Sequence, residues 1–247
     1  KLAPLPDKLR QMGKVIVALS GGVDSSFLLK VACDVLGANV LAVIADSPTY
    51  PGSELTAAQD FCRKLGANYL VIKTDECSEE DFLNNPPQRC YYCKKELFGQ
   101  LAQLAKEKNI SYVVDGSNQD DLKDYRPGRQ AKEEAGVRSP LQEVGLTKQE
   151  IRDLSKELNL PTWNQPAQAC LASRIPYGTK ITPEILKRIE TGENYLKSLG
   201  FCQVRARHHG NLVRLEFDPA DLDDIIGTEL LDQISEEFES LGYTYVT

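Results

Sequence analysis

With 247 residues the chain has room for one or two domains and can bury a sizeable core without disulfide or metal staples. Apolar residues at 41% and charged residues at 26% exclude a disordered, collagen-like or coiled-coil chain, and no run reaches the roughly 18 apolar residues of a membrane span. The 29 basic and 36 acidic side chains leave a net charge of −7, which disfavours nucleic acid as a partner. The sequence starts at Lys1 without a basic and apolar leader, so a native start is expected upstream and a cytoplasmic location is expected. Seven cysteines are odd in number and too sparse for a secreted disulfide scaffold. Cys33, Cys62 and Cys77 read as ordinary core or surface thiols, and Cys202 as a structural residue of an outer strand.

Residues 14–19, KVIVAL, are a β-branched apolar run that stops at Ser20-Gly21-Gly22, the pattern of a buried strand. From Asp24 to Leu36, Phe27, Leu28, Val31, Ala32 and Val35 recur at helical spacing before Gly37. Further strands are expected at Val40 to Ala45, Tyr69 to Ile72 and Tyr112 to Val114, and helices at Glu54 to Leu65 and Lys94 to Lys108. This alternation predicts an α/β fold, a parallel sheet with helices on both faces. Ligands on such sheets bind at the carboxyl ends of the strands, so the turns after Leu19, Ala45 and Val114 should face one cleft. Residues 117–146 are polar and Gly-rich. Thr147 and Glu150 form a capping box for a helix to about Asn159, and residues 161–180 form a long connection of the kind that is more often functional than idle. Beyond residue 180 the pattern becomes a small α+β domain: a helix from Thr182-Pro183 to about Leu199, a hairpin turning at His209-Gly210, helix within 219–241 and a last strand from Tyr243 to Val246. The expected domains are 1–180 and 181–247, the second serving the substrate or oligomerisation, and a homo-oligomer is expected.

The sharpest local signal is Ser20-Gly21-Gly22-Val23-Asp24-Ser25-Ser26, between a strand and a helix. Its glycines permit positive φ and let backbone N–H groups approach an anion. The helix that follows points its positive end at the same place, and Ser20, Ser25 and Ser26 add hydroxyls. The pattern describes a cradle for phosphate or pyrophosphate. It is neither a Walker A loop nor a G-x-G-x-x-G dinucleotide loop. A Gly-Gly turn that merely caps a helix is the plainer alternative. Five fixed residue types, each at about 7% usage, arise together by chance in well under one chain in a hundred.

Cys90 and Cys93 form a C-x-x-C segment whose plain reading is a pair of half-buried thiols or a redox pair. Zinc needs four ligands, and only His208 and His209 could add to these, although both also read as hairpin-end residues. Arg205 and Arg207 share one face of a strand and suit a phosphate, or else lie on a solvated face. Arg174, close to Cys170, could pair with a substrate carboxylate. Lys94 and Lys95 open the expected helix, where the dipole disfavours cations unless an anion is near. Trp163 reads as packing.

The Ser20–Ser26 heptad resembles the pyrophosphate loop of the ATP pyrophosphatase (PP-loop) superfamily, whose members have an adenine nucleotide α-hydrolase-like fold. The resemblance implies that Ser20, Gly21, Gly22, Asp24, Ser25 and Ser26 hold the pyrophosphate of ATP. It also implies Mg²⁺ near Asp24 and Asp115, with the adenosine gripped by Ala45-Asp46-Ser47 and by the turn at Gly116. Asp24 and Ser25 would serve the catalysed adenylation. No glutaminase half or extended synthetase domain is visible. Four stretches instead resemble the LarE family of nickel-pincer-cofactor sulfur transferases: Asp124-Tyr125-Arg126-Pro127-Gly128, residues 134–141, residues 169–179 and Arg205-Ala206-Arg207-His208. Two of these lie beyond the nucleotide fold, so the likeness spans most of the chain.

That family implies an enzyme that adenylates each carboxylate of pyridinium-3,5-biscarboxylic acid mononucleotide and replaces an oxygen with sulfur. Arg205 and Arg207 would grip the substrate phosphate, with Arg174 and Lys94 also on the substrate, and Cys170 would carry the sulfur. Cys90, Cys93 and Cys170 are similar to the thiols of three-cysteine members, which implies a [4Fe–4S] cluster with one open iron. A sacrificial Cys170 that ends as dehydroalanine stays open beside it, and the sulfur donor is unspecified. A tRNA thiolase of the same superfamily and a non-catalytic nucleotide-binding regulator are the alternatives of other classes. The acidic charge opposes the first, and the second would need none of the three cysteines.

Overall fold

The computed structural model describes residues 4–124, 127–166 and 169–247. The chain folds as two compact units, Lys1–Glu79 with Gln88–Gln168 and Glu80–Pro87 with Ala169–Thr247. The division therefore falls earlier than residue 180, and a short segment near residue 85 joins the second unit.

The first unit opens with a helix the sequence pattern did not announce, α1 (Pro4–Met12), which buries Leu5, Leu9 and Met12. Then follow β1 (Val15–Leu19), α2 (Val23–Leu36), β2 (Val40–Asp46), α3 (Gly52–Leu65) and β3 (Tyr69–Lys73). These strands, with β4 (Tyr112–Val114), form one fully parallel sheet in the order β3-β2-β1-β4. The chain goes outward from β1 through β2 to β3, then returns to the other side of β1, so the topological switch point lies at the carboxyl end of β1.

Strand alternation sends successive side chains to opposite faces. Val15, Val17 and Leu19 join one core with Leu5 and Leu9 of α1, Phe27 and Leu28 of α2, and Phe61 of α3. Ile16 joins a second core with Val43, Val113 and the Phe98, Leu101 and Ala105 stripe of the long helix over residues 89–107. Helices thus cover both faces, as the α/β reading expects. Among the described residues no helix is long and apolar enough to cross a membrane.

Two local readings change. In order along the chain the next helices are α4 (Glu80–Leu83), which belongs to the second unit, and α5 (Arg89–Glu107). α5 starts at Arg89 and not at Lys94. Cys90 and Cys93 are therefore in its opening turns, and Lys94 does not sit at its amino end. The 117–146 stretch is more than loop, because α6 (Gly128–Glu134) and α7 (Pro140–Glu143) form within it. Tyr125 and Arg126 of the 124–128 stretch lie outside the described residues. α8 (Lys148–Glu157) carries the expected capping box, with Thr147 Oγ1 accepting from the Glu150 N–H and Glu150 accepting from the Thr147 N–H.

In the second unit, α9 (Pro183–Ser198) starts behind a Thr182 cap. The hairpin of β5 (Arg205–His209) and β6 (Leu212–Glu216) turns through Gly210, and β7 (Tyr245–Val246) adds parallel to β6. Leu196, Phe201, Ala206, Val213, Ile234 and Phe238 make its core, closed by α10 (Leu222–Ile225) and α11 (Glu229–Ser240). The 80–87 segment belongs here because Asn85 ties it down. Its fully buried amide donates to the carbonyls of Pro176 at 2.8 Å and Thr179 at 2.9 Å, and its own carbonyl accepts from Gly178 N–H.

Candidate active site

The Ser20–Ser26 turn lies at the carboxyl end of β1, where the strand order switches. Gly21 adopts φ +81°, which a side chain would resist, and Gly22 stands at the N-cap of the 14-residue α2 without a side-chain cap. The free N–H groups of that first turn are thus left for an anion. The hydroxyls hold the shape of the turn. Ser25 Oγ accepts from the Ser20 N–H and donates to the Gly22 carbonyl, each at 3.2 Å, and Ser26 Oγ donates to the Gly21 carbonyl. The turn after β4 closes in from the side. A Cβ on Gly116 would stand 2.7 Å from the Ser25 nitrogen, so only glycine fits.

Asp24, in the first turn of α2, has a cation on it already. Lys148 Nζ donates to its Oδ2 at 2.6 Å and Asn118 Nδ2 to its Oδ1 at 3.4 Å. Burial raises the Asp24 pKa, and the Lys148 ammonium works against that rise. Asp115 commits both oxygens to its own surroundings: the Ser117 and Ser139 hydroxyls donate to it, and Lys132 Nζ stands at 3.6 Å. It orders the turn after β4.

At the end of β2, Asp46 uses its carbonyl to accept from Thr74 N–H. Ser47 points inward. Its hydroxyl and that of Thr49 both donate to Glu76 Oε1, a carboxylate only 1% exposed whose Oε2 has no hydrogen-bond partner among the described residues. Cys93 Sγ lies 4.0 Å from the same Oε1. Cys93 is half-buried and Cys90 exposed, three apart on α5 and hence on one side of it. The start of α6 presses on this turn, since a Cβ on Gly128 would meet Lys94 Cγ at 2.9 Å and the Cys90 carbonyl at 3.2 Å. Burial pushes the thiols of Cys33, Cys62 and Cys77 up to about 11, so these three stay protonated near neutral pH, in keeping with structural roles.

In the second unit Cys170 precedes the 3₁₀ turn Leu171–Arg174. Arg174 is not available to a substrate carboxylate. It is 4% exposed, its Nε and Nη2 pair with both oxygens of Glu193, and its Nη1 donates to the carbonyls of Ala169 and Cys170 and to Ser173 Oγ. Arg205 and Arg207 do share a face of β5, flanking the buried Ala206. Arg207 Nε donates to Glu216 at 2.6 Å. His208 is a core residue beside Tyr243, 3.2 Å from its hydroxyl, and burial lowers its pKa; His209 is the exposed hairpin-end residue. Among the described residues no three His, Cys, Asp or Glu side chains are grouped to hold a metal ion.

A sequence profile described as NAD synthase matches residues 5–85, the stretch that holds β1, the cradle and β2. Over 248 residues, all of this chain and 89% of the other, the chain is 40% identical to pyridinium-3,5-bisthiocarboxylic acid mononucleotide synthase of Lactiplantibacillus plantarum. The chain belongs to the LarE family. An uncharacterized protein of Synechocystis sp. is 43% identical over 247 residues, 100% of this chain and 92% of that protein. More distant is a glutamine-hydrolyzing GMP synthase polypeptide of Thermoplasma volcanium, 29% identical over 186 residues, 67% of this chain and 58% of that one. The residues that LarE membership draws attention to are joined here by four that the sequence pattern did not single out: Asn118, Lys148, Glu76 and Glu193. Each is recognisable only through its partner.

Proposed function

We propose that the chain is an ATP-dependent sulfur transferase of nickel-pincer cofactor synthesis, acting on pyridinium-3,5-biscarboxylic acid mononucleotide. The observation that carries this reading is the Gly21-Gly22 cradle at the amino end of α2, in a chain alike over its full length to a bisthiocarboxylic acid mononucleotide synthase. A substrate carboxylate oxygen attacks the α-phosphorus of ATP, and pyrophosphate leaves into the cradle. A sulfur nucleophile then attacks the activated carbonyl carbon, and AMP departs with that oxygen. The N–H groups of Gly21, Gly22 and the first turn of α2 stabilise the departing charge.

Asp24 is the residue for Mg²⁺, which supplies charge neutralisation on the phosphates when bound; the Lys148 ammonium now at 2.6 Å supports a cation at this carboxylate. Ala45, Asp46, Ser47 and Gly116 flank the nucleotide, Arg205 and Arg207 hold the substrate phosphate, and Lys94 binds the substrate. Cys90, Cys93 and Cys170 hold a [4Fe–4S] cluster. None of the three is in a disulfide among the described residues, and Cys90 and Cys93 stand one turn apart on α5, which supports a pair of thiolate ligands there. When bound, the cluster supplies an open iron that can present sulfide. A cytoplasmic home, where thiols stay reduced, goes with this chemistry. The second unit, with Ile226 and Tyr245 exposed, is the one assigned to substrate and homo-oligomer contacts.

The deciding experiment incubates the protein, purified without oxygen, with ATP, Mg²⁺, sulfide and the biscarboxylate mononucleotide. AMP and pyrophosphate release, with the substrate mass change of oxygen exchanged for sulfur, is the expected result. AMP release on bulk tRNA and none on the mononucleotide would overturn the assignment.

A further inference from the structure

We propose that Arg174 and Glu193 are positioning residues that fix the backbone of Cys170 against the Arg205–Arg207 strand, so that sulfur transfer keeps pace with adenylation. The proposal rests on the reading that Cys170 serves sulfur transfer and the arginine strand serves the substrate phosphate.

Three segments meet on this pair. Arg174 fastens the first, by donating through Nη1 to the carbonyls of Ala169 and Cys170. Glu193 on α9 is the second: it takes the Arg174 fork at 2.8 and 2.9 Å and is itself 1% exposed. The third is β5, because Glu193 Oε1 also accepts the Ala206 N–H at 3.0 Å, and Ala206 is the residue between the two arginines. A further strut runs directly, from Arg207 Nη1 to the Ser173 carbonyl at 3.3 Å. The peptide on the sulfur-bearing residue and the strand of the phosphate grip are therefore held by one buried ion pair. Such a pair is weak evidence of stabilisation, since apolar residues of similar volume often serve the fold as well or better. What it does provide is direction: a planar fork with fixed donors sets both distance and angle. Sulfur transfer depends on that geometry, because small misplacements of a reacting group lower rates steeply.

The test compares wild type with Arg174→Lys, which keeps charge but not the fork, Glu193→Gln, which keeps shape but not charge, and the double replacement Arg174→Met with Glu193→Leu. Thermal unfolding gives the folded fraction. The readouts are pyrophosphate released per thiocarboxylate formed, and hydrogen exchange of the peptide spanning Leu171 to Ile175. Thiocarboxylate formation is expected to fall roughly 10- to 100-fold in the variants while pyrophosphate release stays within about threefold. Exchange of the 171–175 amides quickens, including in the apolar pair that folds stably. A purely structural role predicts the reverse: the apolar pair restores the wild-type ratio and exchange rate. That result, or equal loss of both steps per folded molecule, overturns the proposal. Failure of the functional reading looks different. Wild type itself then releases no pyrophosphate, and the exchange arm alone decides whether the pair fixes the Cys170 backbone.

Discussion

Single residues set the shape of the cradle, and glycine sets it by having no side chain. At Gly116 even a methyl group would intrude 2.7 Å from the Ser25 nitrogen and 2.9 Å from its Cα, both backbone atoms that cannot rotate away. Overpacking of this kind costs about 1–3 kcal/mol, and here the displaced atoms are backbone atoms of the Ser20–Ser26 turn proposed to bind pyrophosphate. Gly116→Ala should therefore weaken ATP binding at least tenfold by equilibrium dialysis, beyond its effect on melting temperature. Unchanged ATP affinity would separate the β4 turn from the nucleotide. Glu143 gives a residue-scale pH effect. Arg138 donates to both of its oxygens and Lys8 to one, and these hydrogen bonds lower its pKa to about 2 from an ordinary 4.5. Between those values the unfolded chain binds a proton that the folded one does not, so stability rises with pH. The contribution of Glu143 is complete above 4.5 and lost as pH falls to about 2. Melting temperature should drop less steeply through that window in Glu143→Gln than in wild type, and parallel slopes would contradict the assignment.

Elements carry the residues to their places. α8 is capped by Thr147, and its first residue is Lys148, whose ammonium reaches Asp24. Losing the cap costs about 1 kcal/mol and, for a chain of this size, roughly 2–4 °C of melting temperature. Thr147→Ala should show that drop and, through a frayed first turn, a weaker hold of Lys148 on Asp24. A second measurement follows: the Mg²⁺ concentration for half-maximal adenylation should change in Thr147→Ala and stay constant in Ser198→Ala, a change at the far end of another helix. α5 shows the opposite relation between sequence and element. Its early start at Arg89 is supported from outside the helix, by the Tyr91 hydroxyl donating to Glu134 at 2.9 Å and by the Gly128 backbone packed on Cys90 and Lys94. The local pattern alone starts this helix near Lys94.

At the scale of the whole molecule the Gly21-Gly22 turn, Cys90 and Cys93 fall in the first unit, and Cys170, Arg205 and Arg207 in the second. The cluster proposal is tested by substitution. Alanine at any one of the three cysteines should remove iron and sulfur transfer together while adenylation persists. A sacrificial Cys170 predicts that only Cys170→Ala is inactive and that spent wild type loses about 34 Da, one H₂S. Intact mass and iron content after turnover separate the two, and a Cys90→Ala protein that still transfers sulfur would refute the cluster.

What the sequence determined by itself was whatever depends on short-range chemistry. The β-branched apolar run in KVIVAL, the Gly21-Gly22 turn before a helix, the Thr147 capping box and the turn at Gly210 all express preferences of a few consecutive residues, and all appear where they are read. The parallel α/β architecture followed from the order of those elements. Tertiary structure alone decided the partners. Lys148 meets Asp24 across 124 positions, and Glu193 meets Arg174 across 19. An arginine beside a cysteine looks free for substrate until its buried carboxylate is found. The same holds for the boundary at residue 169 and for the Asn85 segment, whose hydrogen bonds to Pro176 and Thr179 span about 90 positions. Charge pairing and burial depend on what folding brings within a few ångströms, and no local pattern encodes that distance.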